Sequence, residues 1–217
     1  MKITWLGHSA VKLEADKTIL IYPFFAGPSQ NLKANQRQGI DFVAVTHGHG
    51  DHIGDAFEIC KENNATFIGG AELADEAEKF GLKALGMNIG GKIAVGGVVF
   101  NMVFAAHSAN IGSPAGFVIE MNGLKVYHAG DTGLTLEMKL IGELFKPDLS
   151  LLPIGDTYTM GADMAAIAVD YLQTKKVVPI HYNTFPAINA DPNVFKKKVG
   201  AKAEVIVIEP GDYFELK

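Results

Sequence analysis

The sequence predicts an α/β fold in which two β-sheets pack face to face and helices cover their outer faces. The main observation is a coarse doubling of the chain, since each half starts with antiparallel strands and finishes with alternating helices and strands. Two packed sheets with helices outside would bury the apolar faces of both halves. The chain has 217 residues, 48% of them hydrophobic, and no low-complexity linker, so we expect a single domain over residues 1–217.

Runs of β-branched and apolar residues bounded by Gly, Pro, Asn and Asp predict the strands of the first half. We expect a meander of three strands, a buried strand that runs into a histidine-rich loop, and a further strand between two helices. The predicted strands cover residues 2–6, 11–15, 17–22, 42–46 and 65–69, and the predicted helices cover 55–63 and 71–80. Residues 24–40 have no hydrophobic period and are expected to form a polar loop.

The second half of the chain has the same order of elements as the first, with antiparallel strands followed by alternating helices and strands. Asn122-Gly123 is the strongest hairpin signal in the chain, because this dipeptide favours the tight turns that join antiparallel strands. The expected strands cover 92–95, 98–106, 116–121 and 124–129, followed by helix 134–145, strand 148–153, helix 161–173, strand 176–180, helix 191–199 and strand 204–209.

Charge and composition exclude some classes of protein. The net charge of −5 disfavours nucleic acid as a partner, and the only run of three lysines, 196–198, is expected on the solvated face of a helix. No apolar run approaches the ~20 residues needed to span a membrane, and no apolar leader precedes the first strand. We therefore expect a cytoplasmic protein without a membrane partner. The single cysteine, Cys60, is expected in the core.

The most informative segment is Thr46-His47-Gly48-His49-Gly50-Asp51-His52, which directly follows an apolar strand. Neutral imidazole and carboxylate are the ligands of zinc, iron, manganese and nickel sites. The order H-x-H-x-D-H predicts two metal sites that share one loop. His47 and His49 would serve the first metal, and Asp51 and His52 the second.

Three further metal-type residues stand at the ends of other predicted strands, as His47 does. They are His107, Asp131 and His181. The ends of buried strands are where α/β proteins place their sites, so we expect these side chains to gather with the histidine-rich loop at one edge of the fold.

Taken together, these motifs resemble the metallo-β-lactamase superfamily. The stretches Thr4–Ser9 and His128–Gly133 narrow the similarity to the branch called UPF0173 metal-dependent hydrolases, which are related to sugar-lactone hydrolases. The resemblance covers essentially the whole chain. It implies a four-layer αβ/βα sandwich, in which His107 completes the first site, His181 completes the second, and Asp131 bridges the two metals. It also implies that His8 lies close to the site, as a pocket residue or as support for a ligand.

One residue departs from this pattern. Where the family usually has aspartate, in a motif like I-L-I-D-P, this chain reads Ile19-Leu20-Ile21-Tyr22-Pro23. The family aspartate supports the metal loop without being a ligand, and loss of such support typically costs about 10–100-fold in metal affinity or activity. The phenol of Tyr22 can still form hydrogen bonds and would compensate in part.

The predicted chemistry is hydrolysis at a pair of divalent ions, zinc first and manganese, iron or nickel as alternatives. Such a pair can share a bridging hydroxide at neutral pH, which Asp51 could orient, and no Gly-x-Ser-x-Gly nucleophile motif competes with it. The catalytic candidates are therefore Asp51, Asp131 and His8. The expected substrate is a small ester, lactone or phosphodiester, and the sequence leaves a homo-oligomer open.

Three alternative functions stay open at this point. An iron-dependent oxidoreductase could use the same ligand types, although the diiron members typically have glutamate where this chain has His49. An RNA-processing nuclease is disfavoured by the acidic balance of the chain. A metal-binding module without catalysis is the third alternative, and Tyr22 makes it more credible.

The remaining polar and aromatic candidates lie near the predicted site. His128 is expected to be a buried structural histidine, and Asp156 could either point into the site or cap the following segment. Aromatic and sulfur-containing side chains are expected to crowd the rim of the site, namely Phe24, Phe25, Tyr158, Met160, Tyr182 and Phe185.

Overall fold

The computed structural model describes residues 1–25 and 32–217, and these form two seven-stranded sheets with helices packed on them. In chain order the strands are β1 Lys2–Trp5, β2 Val11–Glu14, β3 Thr18–Ile21, β4 Phe42–Val45, β5 Thr66–Gly70, β6 Ala84–Met87, β7 Lys92–Val95, β8 Val98–Phe104, β9 Ala115–Met121, β10 Leu124–His128, β11 Leu149–Pro153, β12 Lys176–Ile180, β13 Glu204–Val205 and β14 Tyr213–Glu215.

The described helices are mostly short and amphipathic. In chain order they are α1 Lys33–Gln36, α2 Gly50–Ile53, α3 Ala56–Asn63, α4 Ala71–Lys79, α5 Glu137–Phe145, α6 Ala162–Leu172 and α7 Pro192–Val199, with a 3-10 helix at Pro186–Ile188. Helices α3 and α4 pack on the parallel strands of the first sheet, whereas α5, α6 and α7 pack side by side.

The two sheets have the same plan. The first has the order β14-β1-β2-β3-β4-β5-β6 and the second the order β13-β12-β11-β10-β9-β8-β7. Antiparallel pairing joins β14 through β3 and β7 through β10, and parallel pairing joins β3 through β6 and β10 through β13. This doubling confirms the predicted fold class, a four-layer αβ/βα sandwich.

One continuous hydrophobic core joins the inner faces of both sheets. The rings of Phe42 on β4 and Phe100 on β8 meet edge to face across the interface, with centroids 5.6 Å apart. The central parallel strands β4 and β11 are buried along their whole length. Strands covered on both faces read as continuous apolar runs; β4 does so throughout, and β11 does so except for the buried Ser150.

Local chemistry explains several element ends. Asn122 and Gly123 adopt φ values of 55° and 76°, the conformation of the tight turn that the dipeptide predicts, and they join β9 to β10. Helix α7 begins with Pro192 after Asp191, whose carboxylate accepts a hydrogen bond from the Asn193 amide. The lysines at 196–198 are exposed, and Lys198 pairs with Asp163, which confirms the solvated-face interpretation.

The structure corrects several boundaries. Strands β6 and β14 were not predicted, because each is a short edge strand with exposed positions and is defined by pairing with a distant neighbour. The strand predicted at 204–209 is only two residues long, and the helix predicted at 134–145 starts at Glu137. The predicted loop 24–40 contains α1, and its residues 26–31 lie outside the described ranges.

Two further expectations concern burial and membranes. Cys60 is buried on α3, and desolvation raises the pKa of its thiol to about 12, which confirms its assignment to the core. None of the helices in the described ranges is long and apolar enough to cross a membrane.

Candidate metal centre

The predicted site residues lie just after the ends of strands, and they meet at one edge of the two sheets. His47 follows β4, and the short helix α2 then carries His49 at its N-cap and Asp51 and His52 in its single turn. From the other sheet, His107 follows β8, Asp131 follows β10 and His181 directly follows β12. His8 follows β1. The two sheets therefore contribute to one site.

The backbone is held in unusual conformations around this site. His8, Tyr22 and His181 have φ values of 51°, 47° and 54°, in the left-handed region that non-glycine residues rarely adopt. The His181 amide donates a hydrogen bond to the His8 carbonyl over 2.8 Å, which ties two of these residues together. Strained residues of this kind persist where the surrounding structure holds them, often at functional sites.

The first ligand group consists of His47, His49, His107 and Asp131. Each offers one imidazole nitrogen or carboxylate oxygen, and these atoms all lie within 4.8 Å of one another. The structure therefore brings together the three histidines that were expected at the first metal.

The second ligand group consists of His8, Asp51, His52 and His181, again with one ligand atom each within 4.8 Å of the others. Three of these are the residues expected at the second metal. His8 was not expected among the metal ligands. It joins this group because the turn after β1 packs against the loop after β12.

Asp131 lies between the two groups. Its Oδ2 is 2.9 Å from His52 Nε2 and 3.5 Å from His107 Nε2, so one oxygen contacts a member of each group. Its Oδ1 is 3.4 Å from His181 Nε2. Burial favours the neutral acid, but the neighbouring imidazoles of His52, which is hydrogen-bonded to Oδ2, and of His181 outweigh burial and hold the pKa of this carboxyl well below its usual range. Asp131 is therefore an anion at the position expected of a bridging ligand.

The donor set fits divalent metal ions. His47 Nε2 and Asp131 Oδ1 are buried and have no hydrogen-bond partner among the described residues, and leaving such atoms unpaired is costly. Burial, with the neighbouring His52, lowers the pKa of His47 to about 3, so its imidazole stays neutral. Neutral imidazole and ionised carboxylate are the forms that bind metal.

His8 supports Asp51. Its Nε2 is 3.2 Å from Asp51 Oδ2 and its Nδ1 is 3.1 Å from Thr184 Oγ1. Since an ionised carboxylate only accepts, the imidazole donates from Nε2 and accepts the threonine hydroxyl at Nδ1. Burial lowers the pKa of His8 to about 4, and the hydrogen bond from His8 helps to hold the pKa of Asp51 well below its usual range. With both nitrogens engaged, His8 positions the carboxylate, as the resemblance implies.

His128 and Asp156 lie outside the two ligand groups. His128 is fully buried, donates from Nε2 to the Ser9 carbonyl and accepts at Nδ1 from the Gly130 amide, which confirms it as a structural histidine. The exposed Asp156 lies in a turn where its carboxylate packs against Gly161, the residue before α6. Neither predicted placement is observed, because Asp156 is not among the residues that line the cavity and α6 has Gly161 at its N-cap without a side-chain cap hydrogen bond.

A cavity of about 250 Å³ opens onto the ligand groups. It is lined by His49, Asp51, His107, Ser108, Asp131, Tyr158 and His181. Ser108 was not singled out from the sequence, since its only signal is its position next to His107.

The predicted aromatic rim is correct in part. Tyr158 is exposed at the cavity, and the rings of Phe24 and Phe185 each meet His8 edge to face at 5.6 Å. Phe25 is partly buried against the core. Two other residues belong to the interior instead, because Met160 is fully buried and Tyr182 stacks on Trp5.

Known proteins similar in sequence identify the family of this chain. A family model described as a beta-lactamase superfamily domain matches residues 2–181. A protein of Archaeoglobus fulgidus described as a UPF0173 metal-dependent hydrolase is 46% identical over 229 residues, which covers 99% of each chain. A protein of Pyrococcus abyssi with the same description is 46% identical over 225 residues and covers both chains completely.

Solved structures show the same relationship. Igni18, described as a novel metallo hydrolase from Ignicoccus hospitalis, shares 43% identity and superposes with a TM-score of 0.93 over 100% of this chain and 99% of its own. YhfI of Bacillus subtilis has a TM-score of 0.79 over 98% of each chain at 14% identity, which shows the common fold alone. The chain therefore belongs to the beta-lactamase superfamily, within it to the UPF0173 family, and is a metal-dependent hydrolase.

Proposed function

We propose that this hydrolase uses two divalent metal ions, zinc first, to cleave a small ester, lactone or phosphodiester. The observation that supports this most directly is the pair of ligand groups that share Asp131 as a common neighbour. The first ligand group would hold one ion, and Asp51, His52 and His181 the other. A pair of ions at these groups would supply hydroxide at neutral pH, because metal binding lowers the pKa of water from about 15.7 toward 7.

The residues of the chain would orient this chemistry. Asp131 is buried and anionic between the groups, so it would fix their separation. Asp51 lines the cavity with one carboxylate oxygen held by His8, which leaves its other oxygen for a ligand or for orienting the attacking group. No serine or cysteine nucleophile is needed in this scheme, and the buried Cys60 lies on α3, outside the cavity lining.

The cavity favours a small substrate with one reacting group. Its volume of about 250 Å³ lies just below the range of about 300–1,000 Å³ typical of small-molecule sites. No lysine or arginine is among its lining residues, and Tyr158 offers exposed aromatic surface there. A substrate with a second anionic group would find no partner there, so we propose neutral esters and lactones, and phosphodiesters with apolar substituents.

The test combines elemental analysis with a substrate panel. We expect two equivalents of zinc or manganese in the purified protein, and chelator-sensitive hydrolysis of an aryl ester, an aryl lactone or bis(p-nitrophenyl) phosphate. Asp131→Ala should abolish this hydrolysis, because it removes the shared neighbour of both ion sites. Asp75→Ala, which removes an exposed carboxylate on α4, is the matched control and should retain it.

Other outcomes would point to the alternative functions. One equivalent of iron with no hydrolysis would favour an oxidoreductase, and no bound metal would favour a module without catalysis. Hydrolysis that survives both Asp131→Ala and chelation would contradict the proposed mechanism.

A further inference from the structure

A chain of buried hydroxyl groups lies behind His47. Tyr22 Oη is 2.8 Å from Thr46 Oγ1, and Thr46 Oγ1 is 2.9 Å from His47 Nδ1. Tyr22 Oη also donates to the Ala115 carbonyl over 3.2 Å. Tyr22, Thr46 and His47 are fully buried, so this chain is closed to solvent.

Starting from the Ala115 carbonyl, only one assignment of donors and acceptors is consistent along this chain of hydroxyl groups. The Ala115 carbonyl can only accept, so the single hydroxyl hydrogen of Tyr22 is directed toward it. The Thr46 hydroxyl then donates to Tyr22 Oη. With its own hydrogen used, Thr46 Oγ1 accepts from His47, and Nδ1 of that imidazole must carry the proton.

This direction determines which nitrogen of His47 is free. A neutral imidazole with its proton on Nδ1 has a lone pair on Nε2. His47 Nε2 is buried and has no hydrogen-bond partner among the described residues. The free nitrogen therefore belongs to the first ligand group, and the hydroxyl chain ends on the opposite side of the ring.

Tyr22 also contacts the strand end that carries Asp131. A methyl group built at Gly130 would lie 3.0 Å from Tyr22 Oη and 2.3 Å from the Ala115 carbonyl oxygen. The phenol thus fits against the bare Cα of the residue that precedes Asp131. Burial raises the pKa of Tyr22 far above its usual value, so the phenol keeps the hydroxyl hydrogen that it donates to the Ala115 carbonyl.

We propose that Tyr22, acting through Thr46, is a positioning residue that holds His47 in the tautomer whose Nε2 lone pair binds the metal of the first ligand group. This inference rests on the proposed function, because it assigns a metal to that group. It gives Tyr22, the residue that departs from the family pattern, a definite task in this chain.

The test removes single hydroxyl groups from the full chain. Tyr22→Phe and Thr46→Val delete a member of the hydroxyl chain, whereas Thr46→Ser keeps the hydroxyl and should restore wild-type behaviour. Tyr127→Phe is the matched control, because the Tyr127 hydroxyl is equally buried but has no hydrogen-bond partner among the described residues. Melting temperatures identify any variant that fails to fold.

Two readouts apply to each variant. Competition with a chromophoric chelator measures zinc affinity, and we expect Tyr22→Phe and Thr46→Val to weaken one of the two equivalents by about 10–100-fold. Thr46→Ser and Tyr127→Phe should match the wild type. Nitrogen-15 NMR of the metal-free protein reports the tautomer, and the His47 proton should lie on Nδ1 in the wild type and lose that preference in Thr46→Val.

The outcomes separate this inference from the proposed function. If the wild type binds no divalent ion, the proposed function is wrong and the metal-binding part of this inference is wrong with it. If the wild type binds two ions but Tyr22→Phe and Thr46→Val retain full affinity, only the positioning role is wrong. A wild-type proton on His47 Nε2 would overturn the direction of the hydroxyl chain.

Discussion

At the scale of single residues, burial sets the charge states around the site. Desolvation lowers the pKa of His8 and His128 to about 4 and that of His47 to about 3, so all three imidazoles are neutral at physiological pH. The carboxyls of Asp51 and Asp131 keep their charge despite burial because histidines surround them. The neutral His47 and the ionised Asp51 and Asp131 are therefore in the forms that bind metal, and keeping buried histidines neutral has a cost in stability that appears when the pH falls.

This cost predicts a pH dependence for the metal-free protein. The folded pKa of His128, about 4, lies below the unfolded value of about 6.5, so the unfolded chain takes up the proton first. The stability that depends on neutral His128 is present above about pH 6.5 and is lost as the pH falls toward 4. We expect the free energy of unfolding to decrease over this interval, with roughly 1–3 kcal/mol due to His128.

His128→Gln tests this assignment. A glutamine amide can donate to the Ser9 carbonyl and accept from the Gly130 amide without titrating. Urea unfolding at pH 8 and pH 5 should show a smaller difference for the variant than for the wild type. An equal difference in both proteins would mean that other groups carry the dependence.

Tyr22 yields a second prediction at this scale, for Tyr22→Asp. A carboxylate at this position would be fully buried, and the shorter side chain would not reach Thr46 and Ala115 as the phenol oxygen does. An unpaired buried charge costs several kcal/mol. We expect a lower melting temperature and zinc binding no tighter than that of the wild type, measured by thermal denaturation and chelator competition. Tighter binding by the variant would show that the phenol is only a weak substitute for aspartate.

At the scale of elements, the ends of the strands decide how the ligands meet. Gly130 connects β10 to Asp131 with a φ of 63°, and a side chain there would overlap the Ala115 carbonyl at the start of β9. The turn glycine Gly123 has a similar φ of 76°, but the space around its Cα is open. The two positions share the same backbone strain and differ in packing.

Alanine substitutions at these two glycines separate the two effects. Gly123→Ala should cost about 1–2 kcal/mol, the penalty for a left-handed conformation. Gly130→Ala should cost clearly more and also weaken metal binding, because β9 or Asp131 must move. Urea unfolding and chelator competition measure both quantities, and equal stability losses would contradict the packing argument.

At the scale of the whole molecule, the ligand groups join the two halves of the chain. His47, His49, Asp51 and His52 follow a strand of the first sheet, whereas His107, Asp131 and His181 follow strands of the second. A bound ion would therefore cross-link the two sheets. The pairing of β1 with β14 also brings the two ends of the described chain into one sheet.

This arrangement predicts that metal stabilises the protein as a single unit. Zinc at about 100 times its dissociation constant should add about 2.7 kcal/mol to the free energy of unfolding per site. We expect one cooperative thermal transition, as a single domain over residues 1–217 requires, and an upward shift of that transition on adding zinc. Asp131→Ala should abolish most of the shift. Two separate transitions would contradict the single-domain prediction.

The sequence by itself determined the strand and helix types of the central elements, the doubled plan and the identity of the candidate ligands. These depend on local information, namely the alternation of apolar residues, the Asn-Gly turn and the dense run of histidines after β4. The tertiary structure decided the edge strands β6 and β14, the place of His8 beside Asp51, and the contacts of Tyr22 with Thr46 and Ala115. The physical reason is distance along the chain: Tyr22 and Ala115 are 93 residues apart and His8 and Thr184 are 176 apart, so these hydrogen bonds form only once both sheets have packed.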